Sequence, residues 1–370
     1  MLTLKHISLR AERRVHHDAL RTCSVLRSTN ALGQLHNSPV YKSGAQGQRS
    51  LNYSCKLHHS KAMSLEATEF GTDDPRMGKI IKEGMGGDVV FVGFPHDEGV
   101  RRNGGRVGAK EGPNVVRGFV QKIGTVVNPE YKIDLRTISV SDSGNIKCET
   151  SLEDAHSALT ERVSTILKQG RIAFIVGGGN DQSYPNAKAM LQSLKGTVGV
   201  INIDAHLDVR PKKEGKVHSG SPFRLLLEDD EMKTRGTFCE FGAQGSQCST
   251  IHWNYVLSHK NASIAGFNSL RKSSTSVLDA FKNEECMKKD NVFVSFDIDS
   301  INGADCPGVS CPANVGFSSQ EALDICFAAG SNPKVRLMDV SEFNPTVESY
   351  RTGRLVAQMF YHFLLGVASR

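Results

Sequence analysis

From about residue 75 to the C-terminal end, short apolar segments alternate with amphipathic ones, and that alternation leaves the chain few architectures. DVVFVGFPHD (88–97) reads as a strand running into a polar loop. RIAFIVGGG (171–179), VGVINID (198–204), VFVSFDID (292–299) and VRLMDVSEF (335–343) read as further strands. SLEDAHSALTERVSTILKQG (151–170) reads as a helix, with Leu152, Ala155, Leu159, Val163, Ile166 and Leu167 in one stripe. Ser151 and Asp154 have capping-box spacing, and Gly170 supplies the stop. Further helices are expected near 185–195 and 347–366, the latter with Val347, Leu355, Val356, Met359, Phe360, Phe363 and Leu364 inward. Strands joined through helices need crossover connections, hence a mostly parallel sheet with helices on both faces. Continuous apolar runs such as IAFIV and VFVSF fit burial on both sides. No internal repeat or Gly/Ser linker interrupts 75–370, so one α/β domain is the simplest organisation.

Each strand ends in polar residues at the same edge. RIAFIV leads into Gly177, Gly178, Gly179, Asn180 and Asp181; VGVINI into Asp204, His206 and Asp208; VFVSF into Asp297 and Asp299; VRLM into Asp339 and Glu342. In a parallel sheet these ends lie side by side, where ligands bind. Asp204, His206 and Asp208 stand at every second position, a spacing that shares one face if the backbone stays extended. Carboxylates gathered this way cost several kcal/mol in repulsion and desolvation unless cations hold them. Carboxylates and imidazole without thiolates select a hard or borderline ion: Mn²⁺ or Mg²⁺ first, with Zn²⁺, Fe²⁺ and Co²⁺ as alternatives. Shared carboxylates can hold two ions about 3.5–4 Å apart with a bridging hydroxide as nucleophile. The pieces are ambiguous singly. FDID alone is also a strand-end cap, and GGGNDQS lacks the spacing of a dinucleotide loop.

Composition narrows the partners. The net charge of +6 arises in residues 1–62, which hold ten Lys/Arg against two acids, Glu12 and Asp18. The remainder carries 35 basic and 37 acidic residues, so it shows no basic footprint for nucleic acid. No apolar run nears the roughly 18–20 residues of a membrane span. Residues 1–62 are rich in Arg, His and Ser, and MLTLKHISLRAERRVHHDAL can be drawn as a short Arg-bearing amphipathic helix. This suits a mitochondrial transit peptide; a disordered tail, or an extension ahead of a start at Met63 in a cytoplasmic protein, suits it as well. Nine cysteines without a CxxC pair fit a reduced intracellular protein better than a disulfide framework.

IVGGGNDQS, DAHLDVR, SFDIDSI and DVSEFNP, in this order and on these strands, resemble the arginase/agmatinase superfamily, the ureohydrolases. RNGGRVGAKEGPNVVR (102–117) resembles the segment before that family's first long helix, and PGVSCPANVGFSSQEAL (307–323) the stretch after its metal-bearing strand. DAHLDVRP followed by HSGSPFR (218–224), with the triple Gly, looks most like the formimidoylglutamase branch. The resemblance implies cleavage of formimidoylglutamate to glutamate and formamide, a step of histidine catabolism. It implies a three-layer α/β/α fold on about eight mostly parallel strands. It also implies a dinuclear Mn²⁺ centre and homo-oligomers, trimers or hexamers. By the same resemblance Asp204 and Asp297 bridge both ions. Asp208 binds the first ion and the hydroxide, His206 and Asp299 complete the second, and Glu342 holds the amidine or guanidinium nitrogens. His218 matches a proton-shuttling histidine loosely, and a loop histidine is the alternative.

The sequence departs from the family at one ligand. The pattern Gly-Gly-(Gly/Asp)-His becomes Gly-Gly-Gly-Asn, which puts Asn180 where the first ion has its histidine. An amide oxygen is a neutral, weaker ligand. Three outcomes stay open: weak ligation by Asn180, a single ion, or a non-catalytic relative that keeps the fold. A glutamate-like substrate needs cationic partners. Arg210, then Arg102 and Arg224, are the candidates, each with a structural ion pair as its alternative. Arginine, agmatine or a guanidino acid is the alternative substrate.

Overall fold

The computed structural model describes residues 71–148 and 151–370. The basic arm expected over 1–62, with its transit-peptide reading, lies outside the described residues. Nine strands form one sheet: β1 (Ile81–Glu83), β2 (Val89–Phe94), β3 (Val140–Asn145), β4 (Ile172–Gly177), β5 (Val198–Ile203), β6 (Gly236–Phe241), β7 (Ala262–Ala265), β8 (Asn291–Asp297) and β9 (Val335–Ser341). Their order is β1-β3-β2-β4-β9-β8-β5-β6-β7, and every pairing is parallel. Nine parallel strands fit the expected mostly parallel sheet of about eight. Strand β1 is a three-residue edge, Ile-Lys-Glu, too short and too polar for hydrophobic pattern to mark.

Period-two alternation explains why both faces are buried. Phe91, Phe174, Val176, Val294, Phe296 and Val340 face one layer, made by helices Gly112–Val120, Ser319–Ser331 and Tyr350–Ala368. Val90, Val92, Ala173, Ile175, Val200, Phe293 and Leu337 face the other, made by helices Leu152–Lys168, Ser183–Ser193 and Pro222–Glu228. Ser151 caps helix Leu152–Lys168 by accepting the Asp154 N–H at 3.1 Å, and Gly170 turns the chain at φ 77°. The last helix begins at Tyr350, so Val347 sits in the preceding turn rather than on the helix core face.

Four neighbouring strands position the site. Strands β4, β9, β8 and β5 are adjacent in that order. Their register sets Val340 opposite Val176, Asp297 opposite Ser341 and Phe296 opposite Ile203. The polar tails that follow these strands therefore leave from one edge.

Candidate metal centre

The ligands converge by turns, not by extended backbone. Strand β5 ends at Ile203. Asp204 Oδ1 then accepts the His206 N–H at 2.7 Å, and Asp208 takes a left-handed backbone at φ 45°. Likewise Asp297 Oδ1 accepts the Asp299 N–H at 3.0 Å, and Ile298–Ser300 form a single 3₁₀ turn. Each leading aspartate folds its own chain so that the residue two positions on turns back toward it. This corrects the extended reading of DAHLD. A short polar side chain competes for backbone N–H groups once the sheet ladder ends.

Two ligand groups result: Asp204, Asp208 and Asp297, and Asp204, His206 and Asp299. Within each, the ligand atoms lie within 4.8 Å of one another. Asp204 belongs to both, whereas Asp297 belongs to the first alone. His206 Nδ1 lies 3.3 Å from Asp204 Oδ1 and 3.3 Å from Asp299 Oδ2.

Asp204, Asp297 and Asp299 are buried. Among the described residues, no Lys or Arg pairs with these three, with Asp208 or with Glu342. Burial, and next the Asp204 charge, push the Asp208 carboxyl up to about 8. Burial, then Asp299 and Asp204, hold Asp297 well above the usual carboxylate range, and burial raises Asp299 too. The Asp299 charge drives the His206 imidazole far above its ordinary value. Among the described residues, the buried Oδ1 of Asp299 has no partner. Buried acids with no Lys or Arg among the described residues to pair them, and with an oxygen left over, fit divalent cations. Oxygen donors with one imidazole and no Cys fit the Mn²⁺ class.

Asn180 stands at the first group but presents its donor end. Its Nδ2 donates to Asp208 Oδ2 at 2.9 Å and Asp204 Oδ2 at 3.4 Å. Its Oδ1 accepts from the hydroxyls of Ser183 (2.8 Å) and Ser341 (3.1 Å). Glu342 lies beside it. The Glu342 N–H donates to Gly178 O at 2.7 Å, and its Oε1 accepts the Asn180 N–H at 3.0 Å. Its φ of 68° matches the strained backbone of Asp208, a feature that clusters at functional sites. Burial raises the Glu342 carboxyl well above its usual range, and the Asp299 and Asp208 charges add to it.

The outlying candidates fare differently. His218 donates from Nε2 to Pro211 O at 3.0 Å, its Nδ1 accepts the Gly220 N–H at 3.2 Å, and burial lowers its pKa. A neutral imidazole with both nitrogens engaged braces the 211–221 loop and keeps none free to shuttle protons. Arg102 is held by Glu98 at 3.0 Å, Glu153 at 2.6 Å and Val217 O at 3.0 Å. Arg224 pairs with Glu228 at 3.0 Å and lies 4.3 Å over the Tyr255 ring. These partners match the structural ion-pair alternative for both. Arg210 is exposed and donates to Asn103 Oδ1 at 3.1 Å. Two buried polar residues escaped the sequence reading: Asn202, which donates to Asp204 Oδ2 at 3.2 Å, and Glu240. Their signal was there, as polar letters inside the apolar runs VGVINI and GTFCEF.

A parallel sheet flanked by helices on both faces, with two acidic ligand groups at one edge, fits the arginase family. The chain belongs to that family, whose model matches residues 87–366. It is similar to the formiminoglutamase of Trypanosoma cruzi solved with two Mn²⁺, at 48% identity and TM-score 0.76 over 80% of this chain and 100% of that one. An asparagine-to-histidine variant of the same protein, also with two Mn²⁺, matches at 47% and 0.77 over 81% and 100%. The formimidoylglutamase of Klebsiella pneumoniae subsp. pneumoniae is 30% identical over 272 residues, 73% of this chain and 82% of that protein.

Proposed function

We propose that this protein hydrolyses the linear amidine N-formimidoyl-L-glutamate to glutamate and formamide, using a pair of Mn²⁺ ions. The observation that carries the reading is Asp204, buried and shared by two ligand groups with which no Lys or Arg pairs among the described residues. The relatives' names supply the substrate class. Bound at the two groups, the ions supply Lewis-acid activation of water and of the amidine carbon. Asp204, Asp208 and Asp297 would hold one ion, and Asp204, His206 and Asp299 the other. Glu342 uses Oε1 to accept the Asn180 N–H, which leaves Oε2 to accept an amidinium N–H and aim the carbon at the water. Asp208 takes a proton from the water and returns one to the glutamate nitrogen as its C–N bond breaks. Arg210 offers the positive charge for a substrate carboxylate. The basic arm is read as a mitochondrial address, the assembly as a trimer or hexamer, and the reaction as a step of histidine catabolism. The arm's composition and the family resemblance support these.

The test is an assay of the Mn²⁺-loaded full chain against formimidoylglutamate, arginine and agmatine, with formamide and urea measured separately. Formamide from the first substrate alone is expected. Urea from a guanidino compound with no formamide would overturn the substrate.

A further inference from the structure

Two buried side chains behind the ligands have no task in the reaction above. Asn202 on β5 and Glu240 on β6 are paired across the sheet, both fully buried, above the apolar Val200 and Phe238. Asn202 Nδ2 donates to Glu240 Oε1 at 2.9 Å and to Asp204 Oδ2 at 3.2 Å. Among the described residues, Glu240 Oε2 and Asn202 Oδ1 have no partner. Among the described residues no basic side chain pairs with Glu240. Burial, then the charges of Asp204 and Asp208, raise its carboxyl well above the usual range.

A leucine would fill this place without an orphaned oxygen. The carboxyl instead costs stability through desolvation that its single hydrogen bond does not offset. What it supplies is an acceptor that only the NH₂ end of Asn202 satisfies. That end, so fixed, also reaches Asp204. Turned over, the amide would set its oxygen against Asp204 Oδ2 and push that carboxylate away. Asp204 is the one residue common to both ligand groups.

We infer that Glu240 is a positioning residue for the metal centre, holding Asp204 through Asn202 in the orientation both ion sites require. The inference rests on the metal-hydrolase reading. Partners behind metal ligands commonly change affinity by about 10–100-fold.

The experiment is calorimetric Mn²⁺ titration of the ion-free full chain, with its melting temperature, for wild type, Glu240→Leu, Glu240→Gln, Asn202→Ala and the Leu/Ala double variant. Glu240→Leu is expected to weaken both Mn²⁺ sites about tenfold or more while the ion-free melting temperature holds or rises. Glu240→Gln, which keeps an acceptor, stays within about threefold of wild type. Asn202→Ala loses as much as Glu240→Leu, and the double variant loses no more. Wild-type affinity in Glu240→Leu, a change confined to melting temperature, or additive losses would overturn the inference. If Glu240→Leu does not fold, wild-type affinity in Asn202→Ala overturns it alone. A wild-type chain that binds no Mn²⁺ defeats the metal-hydrolase reading itself, an outcome distinct from a variant that binds normally.

Discussion

Loading the centre with Mn²⁺ should expel protons, in a number set by the ion-free site. Metal ligands must be carboxylate oxygens and a neutral imidazole nitrogen. Without ions, Asp208 is raised to about 8, burial and the Asp299 and Asp204 charges hold Asp297 well above its usual range, and the Asp299 charge keeps His206 protonated. Asp208 and His206 therefore carry protons slightly below neutral pH, and the upward shifts of Asp297 and Asp299 act in the same direction, so filling both groups releases at least about two. Each released proton raises the overall binding constant about tenfold per pH unit, so two give about 100-fold from pH 6 to pH 7. The slope falls by about one proton as pH passes 8, where Asp208 has ionised. The sign follows from linkage. An acid raised in the folded state stabilises the ion-free fold below its unfolded pKa and loses that contribution as pH climbs through the raised value. Alkaline pH therefore weakens the ion-free protein and strengthens ion binding. Calorimetry in buffers of different ionisation enthalpy counts the protons, and titrations at three pH values give the slope. A flat pH dependence, or proton uptake on binding, would refute the reasoning.

Asn180→His exchanges an amide donor for an imidazole lone pair, so it should tighten the Asp204–Asp208–Asp297 site and leave the Asp204–His206–Asp299 site near its wild-type affinity. Calorimetry showing equal shifts at both sites, or none, would count against that placement. Arg210→Ala should raise KM for formimidoylglutamate more than it lowers kcat, and steady-state kinetics with the opposite split would remove Arg210 from substrate binding. Phe360 is fully buried, with its ring centroid 4.7 Å from that of Phe174 and 5.3 Å from that of Phe91. Phe360→Ala should cost about 3–5 kcal/mol in denaturant unfolding, and a loss below about 1 kcal/mol would mean the layer repacks.

The central strands were legible because they are buried on both sides and so read as unbroken apolar runs. Edge strand β1 was not, since an edge exposes its residues and loses the pattern. The acidic residues at the strand ends were legible as types and positions, and parallel topology put them on one edge. Their convergence was not, because it depends on side chain–backbone turns at Asp204 and Asp297 and on left-handed backbone at Asp208 and Glu342. Hydrophobic periodicity carries no trace of these. Arg102 and Arg224 look like any loop arginine in sequence; only the fold brings Glu153 to the one and Tyr255 to the other. Asn202 and Glu240 could have been flagged. A polar residue in a strand buried on both faces needs a partner, and here the partner leads to Asp204.

The most direct measurement is anomalous diffraction at the manganese edge from a crystal of the Mn²⁺-loaded protein. Two peaks per chain are expected on either side of Asp204, one against Asp208 and Asp297 and the other against His206 and Asp299. No peak at this edge of the sheet, or these carboxylates occupied by lysine or arginine instead, would contradict a metal-dependent hydrolase.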